Sequence, residues 1–295
     1  MRLGRHMPTN SQPIKAAELA WSIGCNAIQI FASNPTAWSP PQGGEESSIA
    51  FAEAARKYDL DPVVLHAPYL INLASPLEAN REKSASLLRW TLQRGALLGA
   101  AYVVFHIGSH KGEGVEEGIA HIAGEIAPIL AETPPQVGLL LENSVGAGQT
   151  LGGEFEHLAA VLKLLPDYSA RLGVCLDTAH LWGAGHDIST IASTQEVLRR
   201  FDELIGLERL KVLHLNDTEK SLGSKRDVHA RVGEGVIGQE GLRALLNDPR
   251  LAHVAILMET PIKTTDAGKE DWEHDKQHLE SVRQLMQPAS LPSTD

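Results

Sequence analysis

The chain has 295 residues, of which 43% are hydrophobic, and its formal net charge is −11. This length and apolar content suffice for the core of one large domain. No apolar stretch approaches the roughly 18 residues of a membrane span, and the N-terminus lacks the apolar core of a signal peptide, so we expect a soluble, cytoplasmic protein. The negative charge is unusual for a nucleic-acid enzyme, because such enzymes usually bind phosphates through Lys and Arg.

Eight short apolar runs recur along the chain and predict strands over residues 2–6, 26–31, 62–65, 102–105, 137–141, 172–176, 210–213 and 254–258. Apolar residues at helical spacing predict helices between them, over residues 14–23, 47–58, 77–98, 115–130, 154–165, 191–205, 239–246 and 271–286. Nearly continuous apolar strands that alternate with helices indicate parallel pairing with both faces covered.

The sequence therefore predicts an α/β protein with a single (β/α)8 TIM barrel. We expect one catalytic domain over residues 1–287 and a disordered tail over residues 288–295, where Pro, Ser and Thr follow one another closely. Cys25 and Cys175 show no CxxC spacing, so we expect two buried thiols and no disulfide framework.

A His, Asp or Glu side chain follows each of the last six predicted strands: His66, His106, Glu142, Asp177, His214 and Glu259. The loops add His180, Asp227 and His229. Imidazoles and carboxylates are ligands that zinc, manganese and iron accept, and nine are too many for one ion. Because active sites of TIM barrels gather at the carboxyl ends of the strands, the sequence predicts a multi-metal site there.

The alternatives for single residues are structural. A lone His at a strand end is more often a hydrogen-bonded rim residue than a metal ligand. An ionised carboxylate in the same place, such as Glu142, is costly to bury without a cation or a hydrogen-bonding partner. The glycines at positions 233, 235 and 238 match a dinucleotide-binding pattern, but that motif needs a preceding strand, so we interpret them as a tight turn beside Asp227 and His229.

Six segments of the chain resemble the signature stretches of the endonuclease IV family of apurinic/apyrimidinic endonucleases. They are HAPYLINL at 66–73, FHIGSH at 105–110, LEN at 141–143, LDTAH at 176–180, LHLND at 213–217 and GEG at 233–235. The resemblance implies a site with three zinc ions, with manganese or iron possible at some positions. By the family's pattern, the ligand sets are His66, His106 and Glu142; Glu142, Asp177, His214 and Glu259; and His180, Asp227 and His229.

The resemblance also implies an activity, a metal-dependent hydrolysis in DNA base excision repair. The phosphodiester 5′ to an abasic site in double-stranded DNA would be cut, leaving a 3′-hydroxyl and a 5′-deoxyribose phosphate. Glu142 and Glu259 would be the catalytic carboxylates, and Tyr69 matches a position that enters the DNA stack. We expect a monomer.

Three polar residues near the predicted mouth of the barrel are candidates to orient metal ligands or contact phosphate: His110, Asn216 and Lys225. A solvated loop residue is an equal alternative for Lys225. The chain departs from the family at Thr36, where a basic residue usually penetrates the DNA, and in the loop at residues 6–10, so we expect weaker DNA attraction there.

Two other functions fit parts of the pattern. A sugar isomerase or epimerase with the same barrel would use one or two divalent ions without the third ligand set. These ions would lie near Glu142, Asp177, His214 and Glu259. A non-catalytic protein that binds DNA lesions would lack a bridging carboxylate, whereas Glu142 and Glu259 are both present.

Overall fold

The computed structural model describes residues 1–9 and 12–287. Eight parallel strands close a barrel in sequence order: β1 (Arg2–His6), β2 (Ala27–Phe31), β3 (Val63–His66), β4 (Tyr102–His106), β5 (Gly138–Glu142), β6 (Leu172–Asp177), β7 (Leu210–His214) and β8 (Ala255–Met258). The predicted TIM barrel is thereby confirmed. The predicted tail at residues 288–295 lies outside the described residues.

The described residues contain nine α-helices: α1 (Pro13–Ser22), α2 (Glu45–Lys57), α3 (Glu78–Leu97), α4 (Val115–Glu132), α5 (Phe155–Lys163), α6 (Thr178–Ala184), α7 (Ile191–Leu204), α8 (Gln239–Leu246) and α9 (Trp272–Leu285). Eight of them lie where helical spacing predicts a helix, with ends that differ by up to two residues. The sequence prediction missed α6, because seven residues are too few for a clear helical period.

The barrel interior is built in layers, because alternate residues of a strand point to the same face. One layer is a buried cluster with one residue from each of β2 to β8: Ala27, Val64, Val104, Leu140, Cys175, Val212 and Leu257. Strand β1 contributes Gly4 at this level, where a β-carbon would lie 1.9 Å from the carbonyl oxygen of Ala27. Only glycine allows the two strands to approach so closely.

A buried group of charges joins the first strand to the last helix. The Arg5 guanidinium pairs with the Asp275 carboxylate and donates to the carbonyl of Thr260 at 2.9 Å. Arg231 lies 3.5 Å from the other Asp275 oxygen, and all three charged side chains are buried. Asp275 therefore compensates two buried cations and fixes α9 beside the seam between β1 and β8.

The chain shows two further features. Within the described residues, no helix is both long enough and apolar enough to cross a bilayer. Cys25 and Cys175 are free and buried, as expected.

Replacing Asp275 with alanine tests this charge group. We expect Asp275→Ala to lower the free energy of unfolding by about 3–5 kcal/mol, because two buried guanidinium groups lose their partner. Urea unfolding followed by circular dichroism measures the change. The control is Glu280→Ala on the same helix, where the carboxylate pairs with Arg283 at 3.7 Å and is 60% exposed; we expect a change within about 0.5 kcal/mol. Equal changes in both variants would contradict the role of Asp275.

Candidate metal centre

The layer above the apolar one is a ring of polar side chains. Two residues beyond each member of the apolar layer, the next inward position of each strand carries His6, Gln29, His66, His106, Glu142, Asp177, His214 and Glu259. Six of these are the predicted strand-end ligands. The sequence analysis missed His6 and Gln29 as site residues, although counting two positions on from Gly4 and Ala27 identifies both.

Glu142 lies at the centre of the ring and is fully buried. Its Oε2 atom is 3.2 Å from Nε2 of His66 and 3.3 Å from Nδ1 of His106. Its Oε1 atom is 3.0 Å from Nδ1 of His214. The two carboxylate oxygens thus face different histidines, which is the arrangement that a bridging ligand requires.

A second group of candidate ligands also includes Glu142. One ligand atom each from Glu142, Asp177, His214 and Glu259 lies within 4.8 Å of the others. Cys175 forms a further such group with Glu142 and His214, which the sequence analysis did not predict. Burial raises the pKa of the Cys175 thiol to about 12, so it remains protonated at neutral pH.

The third group combines His180, which lies in helix α6 and not in a loop as predicted, with Asp227 and His229 from the loop after β7. His180 Nε2 lies 3.2 Å from Oδ1 of Asp227, and His229 Nε2 lies 3.3 Å from the same oxygen. His229 Nε2 is also 3.4 Å from Oδ2 of Asp177, so Asp177 reaches both the second group and the third. This His229 nitrogen is buried without a hydrogen-bond partner among the described residues. A cation between these side chains would satisfy it.

Backbone carbonyls fix which nitrogen of two histidines faces the site. His66 Nδ1 lies 2.7 Å from the carbonyl oxygen of Ala67, and His180 Nδ1 lies 3.0 Å from that of Asn143. A carbonyl only accepts, so each Nδ1 carries a proton and each Nε2 is the nitrogen available to a metal once it is unprotonated.

The carboxylates of the ring are held in their ionised form. Burial raises the pKa of Glu142, but His106, His214 and His66 outweigh burial and hold this pKa well below its usual value. Burial likewise raises the pKa of Glu259, and His214 and His66 bring it down to about 2. The centre therefore offers negative charge to a cation at neutral pH.

Helix α6 brings two predicted ligands together. Asp177 is its N-cap residue, and Oδ1 accepts from the backbone N–H of His180 at 2.8 Å. Asn216 donates to the other Asp177 oxygen at 2.6 Å and accepts from the backbone N–H of Glu259 at 2.9 Å. Asn216 therefore contacts two of the predicted ligands, Asp177 through its carboxylate and Glu259 through its backbone.

The other predicted substrate-binding residues lie on loops. Tyr69 is 57% exposed at the rim, with its ring 5.6 Å from that of His66. His110 accepts from the backbone N–H groups of Gly112 and Gly114, and Lys225 donates to the carbonyl of Ala184 at 3.0 Å. Among the described contacts, His110 and Lys225 make none with the predicted ligands.

Asp217 holds the loop that carries Asp227 and His229. Its Oδ2 accepts from the backbone N–H groups of Gly233 and Gly235, both at 3.1 Å. Its Oδ1 accepts from those of Thr218 and Ile237 at 2.8 and 3.1 Å. A β-carbon on Gly235 would lie 2.3 Å from the Asp217 carboxylate. These contacts are consistent with the tight turn predicted from the three glycines.

Fold and side chains define a class: a TIM barrel with three adjoining groups of side chains that could hold metal ions, at the carboxyl ends of its strands. Residues 17–282 match the family model described as xylose isomerase-like TIM barrel.

Sequence relatives and a solved structure narrow this class. The chain is 40% identical to "Probable endonuclease 4" of Chloroflexus aurantiacus, over 98% of this chain and 99% of the relative. It is 44% identical to the protein of the same name in Natranaerobius thermophilus, over 91% and 94%. The crystal structure of endonuclease IV from Thermus thermophilus superposes with a TM-score of 0.82 at 34% identity, over 97% of this chain and 99% of that one. The chain belongs to the endonuclease IV family, as its motifs predicted.

Asp217→Asn tests whether the Asp217 carboxylate anchors the loop that carries Asp227 and His229. The amide replaces one accepting oxygen by a donor that faces backbone N–H groups, so we expect the segment at residues 218–238 to open more often. Limited proteolysis there should become at least about tenfold faster, which corresponds to about 1.4 kcal/mol. The control is Asp266→Asn in an exposed loop, for which we expect an unchanged rate. Unchanged proteolysis of Asp217→Asn would show that the loop does not need this carboxylate.

Metal binding should release protons. Burial lowers the pKa of His180, but Asp177, Asp227 and Glu142 outweigh burial and raise it to about 10. The side chain is therefore protonated at pH 7 in the metal-free protein, and a metal ligand must be neutral. We expect zinc affinity to increase with pH up to about pH 10.

Calorimetric titration of metal-free protein with Zn²⁺, in two buffers of different ionisation enthalpy, counts the protons released. His180→Gln, which has no proton to release there, should release about one fewer. The same heat in both buffers for the unaltered chain would contradict the expectation.

Proposed function

We propose that this chain is a metal-dependent DNA endonuclease that hydrolyses the phosphodiester 5′ to an abasic site, leaving a 3′-hydroxyl and a 5′-deoxyribose phosphate. We further propose one catalytic domain over residues 1–287, acting as a monomer. The observation that carries the proposal is the third ligand group, His180, Asp227 and His229, which adjoins the groups that share Glu142. Hydrolysis of a phosphodiester, which has a poor leaving group, would use an ion held by this third group.

The donor set suits three divalent ions, with zinc as the first candidate and manganese or iron as alternatives at some positions. Ions held there would polarise the phosphate, lower the pKa of an attacking water to about 7, and offset the charge that develops on the leaving oxygen.

Glu142 and Glu259 have different roles in this proposal because their exposure differs. The Glu142 side chain is inaccessible to solvent, whereas that of Glu259 is 16% exposed. Glu142 can therefore only hold the centre together. Glu259 faces both His214 and the open mouth, so its carboxylate can orient a water molecule for attack on the phosphate.

The rim offers a second kind of contact with DNA. Tyr69 is exposed and supported from behind by the ring of Phe31, with ring centroids 5.4 Å apart. An aromatic side chain fixed in this way can enter a base stack and kink the duplex. Thr36 lies on the neighbouring loop, where its hydroxyl donates to Asn34 at 2.9 Å, so this position contributes no cation to phosphate binding.

The sugar isomerase or epimerase is the less supported alternative. It would use Glu142, Asp177, His214 and Glu259, which the barrel also brings together. Proton transfer within a sugar leaves no role for His180, Asp227 and His229. The near full-length relatives described above also carry the name endonuclease 4.

Cleavage of a duplex oligonucleotide with one abasic-site analogue tests the function. We expect incision 5′ to the lesion by metal-loaded protein and no incision after chelator treatment. Glu142→Gln should be slower by at least about 10²–10³-fold, because the amide cannot supply the bridging negative charge. The matched control is Glu203→Gln on α7, where the carboxylate is 62% exposed; we expect the unaltered rate. Elemental analysis should find about three ions per chain, and sedimentation should find one chain per particle.

Protein that holds three ions but leaves the abasic duplex intact would overturn the proposed activity. The same preparation would then be assayed with ketose and aldose sugars, and turnover would favour the alternative. Incision of undamaged duplex at an equal rate would overturn the abasic-site specificity alone.

A further inference from the structure

Gln29 is an uncharged side chain in the middle of the charged ring. It lies on β2 beside His6 of β1 and Val64 of β3, and none of its surface is exposed. The adjacent inward position on the same strand is Ala27, in the apolar layer. A long amide at this level needs partners, because a buried polar group without hydrogen bonds is destabilising.

All three partners of the Gln29 amide lie within the ring. The amide nitrogen donates to Oε1 of Glu259 at 2.6 Å and lies 3.0 Å from Nδ1 of His6. The amide oxygen lies 2.8 Å from Nε2 of His214. The amide is therefore fully hydrogen-bonded, and two of its partners are predicted metal ligands of the same group.

The Glu259 contact settles which way the amide points. An ionised carboxylate only accepts hydrogen bonds, so the amide nitrogen must face Glu259 and the amide oxygen must face His214. An amide oxygen also only accepts, so Nε2 of His214 carries a proton. The remaining nitrogen, Nδ1, is the one that faces Glu142 at 3.0 Å and Glu259 at 3.3 Å.

We propose that Gln29 is a positioning residue for the metal centre. Through its amide oxygen it keeps Nδ1 of His214 turned towards the Glu142 side of the site. Through its amide nitrogen it holds one oxygen of Glu259, leaving the other oxygen to face His214. One side chain thereby orients two ligands from different strands. The inference rests on the proposed metal site and adds to it a residue outside the nine predicted ligands.

His6 completes the arrangement from the first strand. Its Nδ1 lies close to the second hydrogen of the Gln29 amide, and its ring lies 4.4 Å from that of Phe31. The Gln29 amide is thus held through both its nitrogen and its oxygen by side chains of the ring. A packing role alone would need none of these contacts, since an apolar side chain of the same length would fill the same volume.

The test compares Gln29→Met with Ile28→Val on the same strand. Methionine keeps the length of the side chain and removes both hydrogen-bonding groups. Ile28 is buried in the hydrophobic core outside the ring, so Ile28→Val removes one methyl group from the same strand without touching the ring. Zn²⁺ affinity is measured by competition with a chelator of known affinity, on protein whose folding is checked by circular dichroism.

For Gln29→Met we expect one of the bound Zn²⁺ ions to be held about 10–100-fold more weakly, since the partners that orient metal ligands contribute on that scale. The kcat for the abasic duplex should fall while KM stays unchanged, because Gln29 does not reach the DNA. Ile28→Val should bind Zn²⁺ as the unaltered chain does. Equal Zn²⁺ affinity and kcat in Gln29→Met and the unaltered chain would overturn the inference.

Gln29→Asn covers the case in which the methionine variant does not fold. It keeps the amide but draws it back by one methylene, so it cannot reach both Glu259 and His214. We expect a weakened Zn²⁺ ion here too, and unaltered binding would overturn the inference. The Zn²⁺ titration needs no DNA, so a chain that binds Zn²⁺ but cuts no abasic duplex would remove the proposed function and leave this test intact.

Discussion

The buried carboxylate of Glu142 is the feature on which the rest of the centre depends. An ionised group without solvent access is strongly destabilising unless opposite charge or hydrogen bonds surround it. Here imidazole nitrogens of His66, His106 and His214 lie within 3.3 Å of its two oxygens. Each of these histidines comes from a different strand, so they surround the Glu142 carboxylate only when the barrel is closed.

Neutral amides and backbone groups complete this arrangement. Asn216 donates to the Asp177 carboxylate and accepts from the backbone N–H of Glu259. The Gln29 amide makes hydrogen bonds with His214 and Glu259. Amides suit this purpose because they donate and accept at once without adding charge to a crowded site. Hydrogen bonds to the charged form of a ligand also fix its orientation, so a cation meets donor atoms that are already in place.

The loops extend this centre beyond the strands. Asp177 joins the two regions, since one oxygen caps α6 and the other faces His229. The loop with Asp227 and His229 depends on the Asp217 carboxylate and the glycines that approach it. The chain belongs to the endonuclease IV family, and its barrel carries the third group of candidate ligands on helix α6 and on the loop after β7.

Strand periodicity and residue chemistry are local properties of the chain, so the sequence alone predicted the barrel and eight of its helices correctly. It also predicted nine metal ligands. It did not reveal α6, whose seven residues contain too little periodicity, nor Gln29, whose role depends on partners on β1, β7 and the end of β8. That Asp177 reaches two of the candidate ligand groups and that Asp217 contacts both ends of the loop could be read only from the folded chain. Those relations are distances between residues far apart in sequence, and they exist only once the barrel has closed.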